Sequence, residues 1–172
     1  MKANYPKLVF AVLMTVYFLS IAYAPLQGSF LDLVDLPIHE TGHLLFRPLG
    51  EFMMVAGGSL FQLIVPAVFV GYFARNRKFY SAAIVLFWLG QSLLNVFVYA
   101  SDAVVMQIVL ISGLTGSEGS FHDWNYLLTE TGLINSTQMV AGLFRFLGTL
   151  TIAAAGIVSI HYALRAQDEI DL

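Results

Sequence analysis

Long apolar runs separated by short polar segments make up most of this 172-residue chain. The four clearest runs cover residues 8–24, 52–74, 79–103 and about 139–164. Each is close to the roughly 20 residues that an α-helix needs to cross the hydrocarbon core of a bilayer. No alternation with a period of two, which would indicate strands, survives beside these runs. The pattern predicts an all-α integral membrane helical bundle of about four spans, which forms a single domain over residues 1–172.

A further apolar stretch, between the first two runs, is shorter and carries ionisable side chains. Asp35 is a suitable N-cap for a helix here, and Pro37 suits its first turn. Pro48 and Gly50 stop the helix soon after Arg47. About twelve helical residues extend roughly 18 Å, which is short of the roughly 30 Å hydrocarbon core. This helix is therefore either re-entrant or extended upstream by a kinked turn.

The composition supports a membrane protein and excludes several functional classes. Hydrophobic residues make up 58% of the chain and charged residues only 11%, with a mean hydropathy of +0.77. Soluble proteins carry about 25% charged residues. The net charge of −3 and the lack of a basic stripe argue against a nucleic-acid partner. Because the chain has no cysteine, any transition metal must be held by His, Asp or Glu.

The short helix contains the sequence His39-Glu40-Thr41-Gly42-His43. Two histidines four residues apart lie on one face of a helix, where both rings can reach one zinc ion. The glutamate between them is suited to take a proton from water at such a site. Ionisable groups are costly in lipid, so three of them within five residues indicate a function. We therefore predict one Zn²⁺ per chain, held in part by His39 and His43, with Glu40 as the catalytic base.

A third metal ligand is expected from a later part of the chain. The second and third apolar runs form a hairpin. The end of the third run therefore lies on the same side of the membrane as the start of the second run, where the short helix ends. Asp102 lies at that end and is the first candidate, while His122 is the alternative, since zinc also accepts three histidines. Asp123 suits the N-cap of a helix that begins at Trp124, or it orients His122 from behind.

Two other polar residues near the motif have a structural and a functional interpretation. Asp35 precedes His39 by one helical turn, so it either caps the helix or orients the His39 ring. Asn95 lies one turn after Gln91 and either bonds a neighbouring helix or positions a substrate. Both residues therefore remain candidates for a supporting role in the site.

These residues resemble the site-2 protease family of intramembrane zinc metalloproteases. The first signature of that family is H-E-x-G-H on a membrane helix, and a glycine-containing segment opens the next helix. An aspartate near the end of the following helix is its third ligand, after a helix-loosening asparagine and proline. The matching positions here are His39, Glu40, Gly42 and His43, then Gly57-Gly58-Ser59, then Asn95 and Asp102.

The resemblance covers residues 33–106, and it departs from the family pattern after the first signature. No proline follows Asn95 within the third run, and Ala103 replaces the glycine that the family places after its aspartate. The resemblance implies a protease that hydrolyses a peptide bond in or near a transmembrane segment of another protein. It also implies Asp102 as the third ligand beside His39 and His43.

Other functions and partners stay open at this stage. The chain is alternatively a metal-binding membrane protein without protease activity, which acts as a regulator or subunit of a larger complex. The expected partners are the lipid bilayer and a membrane-protein substrate, with a regulatory membrane protein or a second copy of the chain as further options.

The expected location is a bacterial-type inner membrane, with several passes. If the short helix is re-entrant, the basic residues flanking the runs share one side of the membrane. By the positive-inside rule that side is cytoplasmic, so the active site faces the extracytoplasmic side. The basic residues concerned are Lys2, Lys7, Arg75, Arg77, Lys78 and Arg165.

Overall fold

The protein is described here by a computed structural model that covers residues 4–165. Within that range the chain folds into six α-helices, and its only β-pairing is a bridge between Val109 and Thr115. The helices are α1 (Tyr5–Tyr23), α2 (Asp32–Phe46), α3 (Glu51–Arg75), α4 (Phe79–Ser101), α5 (Asp123–Glu130) and α6 (Thr137–Arg165). In this part of the chain α1, α3, α4 and α6 are long and apolar enough to cross a membrane. The predicted all-α bundle is therefore confirmed.

Helix α4 lies at the centre of the bundle and packs most closely against α6. Gly90 on α4 faces Gly148 on α6, so the two backbones approach closely. Small residues allow such approach between membrane helices, where dispersion contacts replace the hydrophobic effect as the main attraction. Phe18 from α1, Phe87 from α4 and Ile152 from α6 are fully buried beside this contact. This cluster fixes the three long helices relative to one another.

Helix α2 begins earlier than the sequence predicted. Its first residue is Asp32, so Asp35 lies within the first turn and is not the N-cap. Pro37 consequently falls inside the helix. Because proline has no backbone N–H, one intrahelical hydrogen bond is missing there. At 15 residues α2 is about 22 Å long, which is still shorter than the roughly 30 Å hydrocarbon core.

Both ends of α2 connect to the same end of the bundle. The Asn4 backbone N–H donates to the Ala163 carbonyl, and the Tyr80 hydroxyl donates to the Lys7 carbonyl. The start of α1 therefore lies beside the start of α4 and the end of α6. Since α3 leads into α4 through a short turn, α1 ends and α3 begins at the opposite end. Helix α2 occupies the connection between them, which is the arrangement expected of a re-entrant segment.

Basic residues gather at the end of the bundle where α1 begins. Lys7, Arg75, Arg77, Lys78 and Arg165 flank the helix termini that meet there. Lys2, which was expected to join them, lies outside the described residues. The H-E-T-G-H motif, the segment after α4 and helix α5 lie towards the other end.

A larger side chain at Gly148 is expected to destabilise the fold. A Cβ there would lie 2.9 Å from the Gly90 carbonyl oxygen and 3.0 Å from two carbons of Leu94. We therefore expect Gly148→Val to lower the free energy of unfolding by about 1–3 kcal/mol, as overpacking does. Gly142→Val, on the same helix, is the control because nothing lies within 4 Å of its Cβ position. Thermal unfolding in detergent, followed by circular dichroism, measures both, and equal losses would contradict the packing account.

Candidate metal centre

Two histidines of α2 and one aspartate of α5 converge at the motif. One carboxylate oxygen of Asp123, Oδ2, lies 2.9 Å from His39 Nε2 and 3.2 Å from His43 Nε2. The two rings lie one helical turn apart and meet edge to face, with centroids separated by 4.8 Å and an angle of 78° between the ring planes. His39 and Asp123 are buried, while His43 keeps about a fifth of its side chain exposed. A carboxylate oxygen and two imidazole nitrogens thus share one small gap.

The opposite nitrogen of each ring faces a carbonyl oxygen. His39 Nδ1 lies 3.2 Å from the side-chain oxygen of Gln62, and His43 Nδ1 lies 2.9 Å from the backbone oxygen of Met54. A carbonyl oxygen only accepts hydrogen bonds, so each Nδ1 carries a proton and donates it. In the neutral rings both Nε2 lone pairs therefore point into the gap beside Asp123. Such a gap attracts a cation, either a proton or a metal ion.

The two separations from Asp123 to the imidazoles are compatible with ligand atoms of a tetrahedral metal ion. Zinc holds imidazole nitrogen at about 2.0–2.1 Å and carboxylate oxygen at about 2.0–2.2 Å, so adjacent ligand atoms are about 3.3 Å apart. The observed separations from Asp123 to His39 and His43, 2.9 and 3.2 Å, are near that value. Nitrogen and oxygen donors of this kind also suit iron and cobalt. The group His39, Glu40 and His43 could hold such an ion, and Asp123 lies within contact of both of its imidazoles.

Glu40 lies beside the two histidines of the cluster. Ligand atoms of His39, Glu40 and His43 all lie within 4.8 Å of one another. Glu40 is half-buried. Its carboxylate lies near enough to the histidines to serve either as a further ligand or as a base beside them. The carboxylate of Asp123 contacts both imidazoles and is held more tightly than the carboxylate of Glu40.

Asp123 occupies a position that the sequence did not assign to it. It was expected to cap a helix beginning at Trp124, but that cap prediction is wrong. α5 begins at Asp123 itself, and His122 is the N-cap. The Asp123 backbone N–H donates to the Tyr99 hydroxyl, which turns the carboxylate towards α2. Burial alone would raise the pKa of Asp123, but when the two imidazoles are protonated, their hydrogen bonds and charges outweigh burial, so the pKa lies below its ordinary value.

The structure brings Asp102 and His122 to each other. Asp102 accepts hydrogen bonds from the backbone N–H groups of Gln107 and Ile108, at 3.0 and 2.9 Å. His122 Nε2 lies 3.4 Å from Asp102 Oδ2, without hydrogen-bond geometry. His122 Nδ1 accepts from the Asn125 N–H, as an N-cap does. Both groups thus support the segment between α4 and α5, and their assignment as metal ligands stays a prediction.

His122 is expected to be neutral in this arrangement. Its side chain is almost fully buried, and burial lowers the pKa of His122 in spite of the nearby Asp102. A neutral ring agrees with Nδ1 acting as an acceptor, because the single ring proton then lies on Nε2.

Asp35 on α2 and Asn95 on α4 take part in polar contacts between the helices around the site. Asp35 is buried and accepts hydrogen bonds from Trp88 Nε1 at 2.7 Å and from the Ser92 hydroxyl. The ring nitrogen of His39 that Asp35 was expected to orient is bonded by Gln62 instead. Asn95 accepts from the Gln62 amide at 2.9 Å, so it reaches His39 only through that residue. Sequence reasoning did not single out Gln62, since a lone glutamine in an apolar helix carries no recognisable motif.

Two glycines of α3 make room for the histidines. A Cβ on Gly58 would lie 2.5 Å from His39 Nε2 and 2.7 Å from Cε1 of both His39 and His43. Gly57 likewise has no room for a side chain against Gly42 of α2. Helices α2 and α3 run antiparallel at this contact, which lets one face of α3 form the wall of the site.

Comparison with known proteins does not identify the chain. No protein-family model, curated protein or solved structure matches it. The resemblance to site-2 proteases therefore rests on the motif residues alone and stays a prediction.

A groove of about 630 Å³ opens beside the convergent side chains. Glu40, His43 and Asp123 lie along its wall. Most of the remaining lining is apolar and comes from α2, α4 and the segment before α5. These apolar residues include Leu33, Leu36, Val98, Ile108, Ile111 and Phe121. The polar cluster therefore lies at the wall of a groove whose lining is mostly apolar.

Substitution of Gly58 is expected to lower the affinity for zinc without unfolding the protein. The added methyl group of Gly58→Ala would displace the His39 ring, and we expect zinc affinity to fall at least tenfold. Gly71→Ala, on the same helix, is the matched control because its Cβ position has nothing within 4 Å. Competition with a chelator measures the zinc affinity of both variants. Equal affinities would show that the close packing of α3 does not determine the ring position.

The two aspartates can be distinguished by metal content. We expect Asp123→Ala to lower zinc affinity by more than about 100-fold. Loss of a metal ligand should weaken binding more than loss of a residue that only hydrogen-bonds to a ligand. Asp102→Ala should retain one zinc per chain, because its carboxylate bonds backbone N–H groups of the following segment. Elemental analysis of the purified proteins measures the zinc content of both variants. The reverse result would restore Asp102 as the third ligand.

Proposed function

We propose that this protein is an intramembrane zinc metalloprotease that hydrolyses a peptide bond in or near a transmembrane segment of another protein. The observation that carries the proposal is the convergence of His39 Nε2, His43 Nε2 and Asp123 Oδ2 beside Glu40. This cluster lies between helices long and apolar enough to span a membrane. Three ligands that leave an open position are typical of catalytic zinc, whereas structural zinc has four protein ligands.

The residues of the site have separate roles in this proposal. His39, His43 and Asp123 would hold the ion. When bound, zinc acts as a Lewis acid that lowers the pKa of water from about 15.7 towards 7 and polarises a carbonyl. The Glu40 carboxylate accepts a proton from the attacking water and then gives it to the departing amine nitrogen. General acid–base transfer of this kind contributes a factor of about 100 to 10,000 to the rate.

The groove supports a peptide of membrane character as the substrate. Its apolar lining suits the side chains of a transmembrane segment, and the acidic cluster lies at its wall. A helical substrate hydrogen-bonds its own carbonyls, so it must unwind locally before one of them can reach the metal centre.

The distribution of charge supports an orientation. Among the described residues, five that flank helix termini lie at the end opposite the site, namely Lys7, Arg75, Arg77, Lys78 and Arg165, whereas Arg47, at the end of α2, lies on the side of the site. Under the positive-inside rule that end is cytoplasmic. The site then faces the extracytoplasmic side of a multi-pass membrane protein.

Substitution of Glu40 tests the proposed activity. Glu40→Gln keeps the size of the side chain but cannot accept the proton, so we expect cleavage of transmembrane substrates to fall about 100- to 10,000-fold. Zinc content should remain at one per chain. Glu51→Gln is the control, since Glu51 is an exposed carboxylate at the start of α3. Both are measured in liposomes with a panel of single-span substrates.

Two outcomes of this experiment would overturn the proposal. Equal cleavage by Glu40→Gln and Glu51→Gln would exclude Glu40 as the base. Zinc bound by the wild-type protein without cleavage of any substrate in the panel would favour the alternative of a metal-binding regulator or subunit.

A further inference from the structure

A continuous row of polar side chains crosses the interface of α2, α3 and α4 behind the metal centre. His39 Nδ1 lies 3.2 Å from Gln62 Oε1, and Gln62 Nε2 donates to Asn95 Oδ1 at 2.9 Å. Asn95 Nδ2 in turn donates to Asp32 Oδ1 at 3.1 Å. Gln62 is only 2% exposed. Uncompensated polar groups are costly in such surroundings, so a row of four bonded side chains indicates a specific role.

The carboxylate at the end of the row fixes the direction of every bond in it. Asp32 only accepts, so Asn95 must present its NH₂ group to Asp32 and its oxygen to Gln62. Gln62 must then present its NH₂ group to Asn95 and its oxygen to His39. The Nδ1 atom of His39 consequently has to donate, which leaves the Nε2 lone pair free to face Asp123. Neither amide can rotate without placing two donors or two acceptors against each other.

We infer that Gln62, Asn95 and Asp32 are positioning residues that fix the tautomer and the ring orientation of His39 for metal binding. The inference rests on the metal site of the proposed function. Groups behind a ligating histidine usually set its tautomer with a single carboxylate or carbonyl. Here the carboxylate of Asp32 acts on His39 through two amides, one from α4 and one from α3. The row also joins the first turn of α2 to its ligand two turns later by way of the neighbouring helices.

Gln91 provides a control that separates positioning of the His39 ring from general stabilisation of the helix interface. It lies on α4, is fully buried and donates to the same Asp32 oxygen at 2.6 Å. Asp32 is further held by the Ser29 N–H at 2.7 Å. Gln91 therefore contributes a bond between α2 and α4 as Asn95 does, but it lies outside the row, since Asn95 and Gln62 connect Asp32 to His39 without it. A variant at Gln91 should weaken the helix interface and leave the histidine unchanged.

The test compares three variants of the full-length protein in detergent. Gln62→Met removes the acceptor for Nδ1 and keeps the volume, so zinc affinity should fall about 10- to 100-fold. Gln62→Glu retains an acceptor oxygen and should bind zinc more tightly than Gln62→Met. Gln91→Met should match the wild-type affinity. The readouts are zinc dissociation constants from chelator competition and the visible absorption spectrum after cobalt loading, which reports ligand geometry.

The outcomes separate this inference from the proposed function. Wild-type protein that binds neither zinc nor cobalt would overturn both. Wild-type protein that binds metal, with Gln62→Met unchanged in affinity and cobalt spectrum, would overturn the positioning role alone. Equal losses in Gln62→Met and Gln91→Met would also overturn it, since general loosening of the interface would then explain both.

Asn95→Leu provides a second test if Gln62→Met does not fold. It leaves Gln62 beside His39 but removes the acceptor that orients the Gln62 amide. We expect a loss of zinc affinity that is smaller than that of Gln62→Met, together with an altered cobalt spectrum. A wild-type affinity and spectrum in Asn95→Leu would show that the row does not act beyond Gln62.

Discussion

Each imidazole of the motif donates its Nδ1 proton to a carbonyl oxygen, and the rest of the site depends on these two bonds. They force both Nε2 lone pairs into the gap that also receives the Asp123 carboxylate. In water these two nitrogens and the carboxylate oxygen would each be solvated, but here the packed helices hold them close together. A metal ion or protons must therefore neutralise the gap, and which of them does so decides the function.

Close packing between α2 and α3 makes that arrangement possible. Gly42, Gly57 and Gly58 bring the helices so near that any side chain at these positions would strike the opposite helix or an imidazole. In lipid there is no water to expel, so such close contacts between small residues provide much of the attraction between helices. The same residues thus hold the short helix in place and leave the rings room to turn towards α5. Stability and site geometry share one cause here.

The sequence predicted the helices well and the site only in part. Long apolar runs have few alternatives in a bilayer, and the H-E-T-G-H spacing places His39, Glu40 and His43 on one face whatever surrounds it. The contact from Asp123 was not predicted, because Asp is also a common N-cap and the local sequence favours that use. Only the packing of α5 shows that His122 takes the cap and leaves the carboxylate free. Gln62 was missed because its role depends on neighbours from two other helices.

Helix α5 links the site to the core of the bundle. The Trp124 indole donates to the Ser59 hydroxyl, one residue after Gly58, and its ring packs against Phe144 of α6. Asp123 and Trp124 are adjacent, so the anchor that buries the indole also sets how far the carboxylate reaches towards α2. A short helix of eight residues has little stability of its own. Its position must come from these contacts. If the Asp123 carboxylate binds a metal ion, as proposed above, metal binding and the docking of α5 would stabilise each other.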